Sequence, residues 1–367
     1  MKRKHLKRVV AGAFAAVMAT SGISFPQANV HAEEKGNELR LWYDEPTSKG
    51  TNILGAGSGY DTDEKNRWQQ HTLPIGNGDM GANVYGEIAS EHLTFNEKTL
   101  WTGGPSESRK DYMGGNSTEK GQDGASLKNI QKLFAEGKTS EATAACNNLL
   151  VGISNGYGAY QPWGDIYFDY KDITEKNATE YQRDLDLKTA ISTVSFKEDG
   201  TQYTREFFMS HDDDVLVARL EAKGSEKLNL DVRFPSKQGG KTVAEGNDTL
   251  KLCGALTDNQ MKYASYLTVK ADNGSVTGSG DKLTVKDASA VTVYLSAATD
   301  YKNTFYNEDK TEDYYYRTGE TDEALAKRVK ETVDKAVGKG YKEVKHTFRR
   351  LSGTVQPRIF KYWTDSV

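Results

Sequence analysis

Short runs of Val, Ile, Leu, Phe and Tyr recur between Tyr160 and Asp300, each bounded by Gly, Asn or Asp. They are Ile166–Tyr170, Ala190–Phe196, Thr201–Phe208, Val215–Leu220, Leu228–Phe234, Thr249–Leu256, Met261–Ala271, Lys282–Val285 and Val291–Ala297. Their spacing of about 10–20 residues is that of short strands joined by turns. Lys197-Glu198-Asp199-Gly200 places Asp-Gly at a hairpin tip, a pair that tolerates the positive φ of tight turns. No helical spacing interrupts Gln161 to Asp300. Repeated antiparallel hairpins restrict the chain to a mostly β sandwich or barrel rather than an α/β fold.

Upstream, Leu39–Asp44 and Glu91–Glu97 read as further strands, and Ala82–Tyr85 as a short one. Residues 46–67 and 106–125 are polar and glycine-rich and read as loops. Four glycines fall in the eleven residues from Gly76 to Gly86. Each would cost about 1 kcal/mol in a helix, so this stretch reads as tight turns. Two short helices are predicted. Leu127–Glu136 carries Leu127, Ile130, Leu133 and Phe134 at helical spacing between Ser126 and Gly137. Ser140–Leu150 repeats the pattern with Ala142, Ala145, Cys146, Leu149 and Leu150. A last helix begins at Thr321-Asp322-Glu323, with acids at its positive end, and is expected to stop at Gly338-Lys339-Gly340. It reads as a connector to another domain.

The first 32 residues read as an export signal rather than fold. Lys2, Arg3, Lys4, Lys7 and Arg8 precede an apolar stretch from Val9 to Ala19, and Val30-His31-Ala32 is a small-x-small cleavage signal. A membrane anchor is the competing reading, but the apolar run is shorter than the roughly 20 residues a spanning helix needs. Cleavage near Ala32 predicts a secreted or cell-surface protein. It removes five positive charges and takes the formal net charge from -4 to -9. Such an acidic chain is a poor partner for nucleic acid, whose phosphates need a basic surface. No later stretch is apolar enough to span a membrane. Aromatic residues at 10% supply a core that a disordered chain of this polarity would lack.

Cys146 and Cys253 permit one disulfide in an exported protein, or are two small buried hydrophobes. After cleavage four histidines remain, His71, His92, His211 and His346, none with a second ligand at metal spacing. No metal and no cofactor are expected. No Ser-His-Asp pattern accompanies His71, His92 or His211. The Gly76–Gly81 loop has neither the Lys-Ser/Thr pair nor the following helix of a phosphate cradle.

Five motifs follow one another along the chain. Trp68 with Leu73-Pro-Ile-Gly-Asn-Gly-x-x-Gly-Ala and Gly86 is the first, and Phe95-Asn-Glu-x-x-Leu-Trp-Thr-Gly-Gly-Pro105 the second. Tyr160-Gln-Pro-x-Gly-Asp165, Tyr181-x-Arg-x-Leu-Asp-Leu187 and Tyr203-Thr-Arg-Glu-x-Phe-x-Ser210 complete the series. Each alone is weak; in this order and spacing they resemble the N-terminal β-sandwich domain of the family 95 glycoside hydrolases, the α-L-fucosidases. The resemblance runs from about Leu39 to Tyr341.

The resemblance implies a large antiparallel sandwich, a helical linker and then an (α/α)6 barrel. It also implies hydrolysis of terminal α-L-fucose from fucosylated glycans, with inversion. Inversion needs an acid for the leaving oxygen and a base to activate water on the opposite face. In the family a Glu is that acid, and Asn residues held by an Asp activate the water. All lie in the barrel, so no catalytic residue is assigned to this sequence. The implied organisation is a signal peptide over 1–32, a sandwich over 33–300, a helical linker over 301–345 and a tail over 346–367.

That tail departs from the family. Read one base later, permitted codons for it spell His-Phe-Glu-Asp-Tyr-Gln-Gly-Leu-Phe-Asn-Arg-Val, close to the family's continuation. The expectation is a frameshift, real or from sequencing, that cuts the enzyme before its barrel and leaves this part inactive alone.

Candidate substrate-binding or domain-interface residues are Asn77, Asn96, Glu97, Trp101 and Trp163. Trp faces suit sugar rings, and Asn and Glu suit hydroxyls. The competing reading has Asn96 and Glu97 holding a turn through backbone bonds and Trp101 packing on the sandwich. Trp163 and Asp165 form either a second contact loop or a strand-entry turn. Arg183, Arg205 and Glu206 are candidates for buried ion pairs between strands. Beside the fucosidase reading stands a stand-alone carbohydrate-binding or purely structural sandwich.

Overall fold

The computed structural model describes residues 39–49, 67–104, 125–150, 156–303 and 316–364, with side chains through Phe348. The expected signal peptide and most of both predicted loops lie outside the described residues.

Among the described residues sixteen strands form two antiparallel sheets. The first eight are β1 (Arg40–Tyr43), β2 (Leu73–Gly76), β3 (Met80–Val84), β4 (Ser90–Glu97), β5 (Gly164–Tyr170), β6 (Thr179–Asp186), β7 (Ile191–Glu198) and β8 (Thr201–Ser210). They are followed by β9 (Val215–Lys223), β10 (Leu228–Arg233), β11 (Lys241–Glu245), β12 (Thr249–Ala255), β13 (Lys262–Asp272), β14 (Ser275–Ser279), β15 (Lys282–Ala288) and β16 (Ala290–Thr299). The nine-stranded sheet runs β1-β6-β7-β8-β9-β16-β13-β12-β11, and the seven-stranded sheet β14-β15-β10-β5-β4-β3-β2. Val84, Leu93, Phe168 and Val232 from the smaller sheet meet Val194, Phe207, Leu220 and Leu267 from the larger in one apolar core. The fold is therefore the expected β-sandwich.

Four of these strands were not anticipated. β11 and β14 end their sheets and are polar and largely exposed, so they carry no hydrophobic alternation. β6 is rich in charge; its buried Arg183 donates to the Glu45 and His71 carbonyls, and its buried Asp184 pairs with Arg40 on the neighbouring β1. β2 contains Pro74 and Gly76. Proline is tolerated there because β2 is the sheet's last strand.

Helices α1 (Ala125–Ala135) and α2 (Thr139–Leu149) match the predicted pair and pack on each other. Ile130 and Ala142 are buried, whereas Leu127, Phe134 and Leu150, expected on the packed face, are exposed. Helix α3 (Asp322–Thr364) is longer than expected. It breaks at Gly340, whose φ of 77° suits glycine, and then resumes. Leu325, Val329, Val333, Ala336, Val344 and Phe348 lay one face of it over Phe208, Val215, Val217, Ala264 and Tyr294 of the larger sheet. The molecule thus has three layers: helix, nine strands and seven strands.

Candidate functional site

The outer face of the seven-stranded sheet is open and patterned. Alternation along β3 and β4 turns Met80, Ala82, Val84, Leu93 and Phe95 inward and Gly81, Asn83, His92, Thr94 and Asn96 outward. Register then aligns the outward residues in rows across the strands. One row is Pro74–Asn83–Thr94–Asp165. Beside it Gly76, Gly81 and Asn96 form a second. On the other flank the rings of Tyr85, His92 and Tyr167 stack at 4.2 Å and 4.6 Å, with the Arg233 guanidinium 4.6 Å from the Tyr167 centroid.

A cleft of about 540 Å³ lies over the first two rows. Its lining includes Gly81, Asn83, Thr94, Asn96, Trp68 and Tyr160, with Asp165 and Lys237 also contributing. Trp68 and Tyr160 are 41% and 45% exposed. The Trp68 indole N–H donates to Thr94 Oγ1 at 3.2 Å, which holds the ring over the sheet. Trp101, also exposed, packs against Tyr160 with ring centroids 5.6 Å apart and planes tilted by 39°, and its indole N–H donates to the Lys98 carbonyl at 3.0 Å. Asp165 is buried. Its Oδ2 lies 2.6 Å from Lys237 Nζ and 3.5 Å from His92 Nε2, and accepts from the Tyr167 hydroxyl at 3.3 Å. Burial pushes the Asp165 carboxyl up, but His92 and Lys237 outweigh that and hold it below the usual range.

A second cluster closes one end of the sandwich. Asn77 Oδ1 accepts from the backbone N–H groups of Asp79 (3.0 Å) and Met80 (2.7 Å), and its Nδ2 donates to Ser210 O and Asp214 Oδ1 across the core. It thereby ties the β2–β3 turn to the β8–β9 turn. Glu97, on the inward side of β4, is buried, and its Oε2 accepts from Thr99 N at 3.0 Å and from the Thr99 hydroxyl at 2.6 Å. Desolvation drives its pKa up to about 7 against the opposing Thr99 bonds.

The turn between β3 and β4 is anchored from inside. Arg205, fully buried, pairs with buried Glu91 at 2.9 Å and donates to the Glu87 and Ile88 carbonyls. Glu91 Oε1 in turn accepts from the N–H of Gly86 at 2.8 Å. Gly86 is obligatory: with φ +74°, a Cβ there would lie 2.5 Å from Arg183 Cδ. Among the described residues no group of three or more His, Cys, Asp or Glu side chains could hold a metal. Cys146 and Cys253 are free and half-buried.

Residues 41–304 match the model of the glycosyl hydrolase family 65 N-terminal domain. The chain belongs to this family of glycosyl hydrolase N-terminal domains. Alpha-L-fucosidase 2 of Arabidopsis thaliana is 29% identical over 260 residues, covering 64% of this chain and 29% of that protein. An alpha-fucosidase A of Aspergillus niger is 32% identical over 153 residues, covering 42% of this chain and 18% of that one. The chain thus matches less than a third of the length of these relatives. In fold, a protein described as a kojibiose phosphorylase from the human microbiome superposes with a TM-score of 0.50 at 7% identity, over 85% of this chain and 37% of that one. The fucosidase relatives agree with the resemblance carried by the five motifs.

Within this glycosyl hydrolase N-terminal domain the predicted site residues separate. Asn96 faces the cleft, while Trp101 backs Tyr160 beside it. Asn77 and Glu97 hold turns at the sandwich end. Trp163 is wholly buried between the sheets, edge-on to Phe95 and Tyr263, with its indole N–H donating to Ser265 Oγ at 3.3 Å. It is a core residue and presents no surface to a ligand. Of the predicted ion pairs, Arg205 finds Glu91, and Glu206 instead reaches Lys345 on α3. Arg183 donates to the carbonyls of Glu45 and His71 and sits 4.0 Å from the Tyr43 ring centroid. Asn83, Thr94 and Lys237 occupy no motif position in the chain, and Tyr160 and Trp68 stand out in it only as motif residues. Outward alternation in β3 and β4 was the available signal, but only the strand register brings these residues together.

Proposed function

We propose that this chain is the N-terminal sandwich of an exported α-L-fucosidase-type glycoside hydrolase that removes terminal α-L-fucose from glycans with inversion. The supporting observation is the similarity of the sandwich to curated fucosidases, 29% identical over 64% of the chain in one case. Residues 33–367 have no hydrolytic activity by themselves in this reading, because the motif resemblance assigns the acid and the water-activating residues to a barrel. Export by a signal cleaved near Ala32 is part of the same proposal. It is supported by the basic start, the short apolar run and the Val30-His31-Ala32 signal.

The test begins with the gene. The DNA is resequenced from the codon for Lys339 through several hundred bases past Val367, and the longest frame is expressed beside residues 33–367. An extended chain that releases L-fucose from 2′-fucosyllactose, while residues 33–367 release none, is the expected result. Fucose release by residues 33–367 alone would overturn the inactivity. A clean stop followed by unrelated DNA would leave the second reading, a stand-alone carbohydrate-binding sandwich, which the exposed Trp68 and Tyr160 favour. Export is checked by N-terminal sequencing of protein recovered from the medium, which should begin near Glu33.

A further inference from the structure

The cleft on the seven-stranded sheet has three features that packing alone does not require. The first is Gly81, in the middle of β3. Glycine weakens a strand and there often marks close approach of a ligand. Its backbone does not need to be glycine: it is absent from the positive-φ residues, and a Cβ would meet only the Ile75 carbonyl, at 3.8 Å. What the missing side chain does is open the floor of the cleft beside Asn96.

The second feature is a pair of amides at that floor. Among the described residues the Asn83 side chain makes no hydrogen bond, and Asn96 uses only Oδ1, which accepts from Glu97 N at 3.1 Å. Each amide offers two N–H donors and an accepting oxygen, so the pair can both give to and take from a hydroxyl. The third feature is the exposed rings of Trp68 and Tyr160, which share the lining with these amides.

We infer that this cleft is a saccharide-binding subsite, in which the apolar face of a pyranose ring packs on Trp68 and Tyr160 and its hydroxyls bond to Asn83 and Asn96. A neutral sugar fits better than the other ligand classes. Lys237 is paired with Asp165 at 2.6 Å, so the cleft offers an anion no unpaired cation of its own. A purely apolar ligand would bury the two amides without partners, which is costly. The volume of about 540 Å³ lies within the range of small-molecule pockets and exceeds what a single water needs. That the sugar belongs to a fucosylated glycan rests on the proposed function; that the cleft takes a sugar does not.

The test is titration of the whole chain with L-fucose, lactose and 2′-fucosyllactose, followed by tryptophan fluorescence and calorimetry, with inorganic phosphate as the anionic probe. Saturable binding of a saccharide at a Kd of about 0.1–10 mM is expected, with a change in tryptophan emission and no response to phosphate. Trp68→Ala, Asn96→Ala and Gly81→Leu should each weaken it at least tenfold. Circular dichroism and Tm establish that each variant is folded. Asn96→Ala is the safest in that respect, because it deletes a side chain whose described bond is to a neighbouring backbone N–H. Lactose binding as well as 2′-fucosyllactose would support the subsite while counting against a fucosylated ligand. Loss of fucosidase activity from the extended chain would count against the proposed function alone. No saccharide binding up to about 50 mM, or binding that all three variants leave intact, would overturn the subsite and leave the cleft to a protein contact.

Discussion

On the nine-stranded sheet, the face turned away from the core carries Phe208, Val215, Val217, Ala264 and Tyr294, and α3 lies across it. On the seven-stranded sheet the corresponding face carries Asn83, His92, Thr94, Asp165 and Tyr167, and a cleft lies over part of it. The strands themselves record the difference. β13 and β16 are almost continuously buried, whereas β4 alternates strictly. A strand buried on both faces reads as an apolar run, and one with a solvated face reads as alternation. The first face is a packing surface; the second is polar, patterned and open over a cleft.

Matched truncations would break that comparison most directly. Phe208, wholly buried under α3 and stacked on Phe348 at 4.8 Å, should cost about 3–5 kcal/mol as Phe208→Ala, through lost burial and the cavity left behind. Tyr167→Ala on the opposite face should cost about 1 kcal/mol, since what is lost is stacking on His92, the Arg233 contact and a 3.3 Å hydroxyl bond to Asp165, all at a partly exposed side chain. Urea denaturation of the two variants checks this; equal losses would mean that the outer ladder is also a packing surface.

The same alternation that turns Asn96 outward turns Glu97 inward, and this sharpens the contrast within one strand. The folded pKa of Glu97, about 7, lies above its ordinary 4.5. The folded state therefore favours the protonated acid. That contribution is complete below about pH 4.5 and is lost as the pH rises to about 7. Glu97→Gln keeps an acceptor for Thr99 and removes the charge. At pH 8 it should exceed the parent in stability by about 3 kcal/mol, and the difference should vanish near pH 4. Denaturation of both proteins across this range measures it, and a constant difference would contradict the assignment.

The smallest effect concerns how α3 is held. Lys345 and Tyr341 both reach Glu206, the outward partner on β8. Lys345→Met should cost about 0.5–1 kcal/mol at low salt and less at high salt, because a partly exposed pair is screened. A loss that salt leaves unchanged would assign the stability to packing of the Lys345 stem instead.

Much of the architecture was legible in the chain because strands that bury a face must alternate or run apolar. β4, β5, β8, β9, β13 and β16 announced themselves in this way, as did α1 and α2 by the helical spacing of their apolar residues. Polar edge strands such as β11 and β14 carry no such requirement, so their residues gave no sign. Gly340 looked like a stop because glycine commonly ends helices, yet the apolar surface of the larger sheet holds the next turns through Val344 and Phe348. Trp163 illustrates the opposite limit. Its motif read as either a contact loop or a strand-entry turn, because whether an aromatic side chain faces solvent or core depends on what the other sheet presents to it.

By itself the sequence determined a mostly β sandwich or barrel, the two short helices and the motifs that carry the fucosidase resemblance, since hydrophobic period and turn chemistry are local properties. The strand order, the α3 cover and the cleft were decided by tertiary structure. Asn83, Asn96 and Asp165 are separated along the chain, and only cross-strand hydrogen bonding in one register sets them side by side, with Trp68 brought over them by its bond to Thr94.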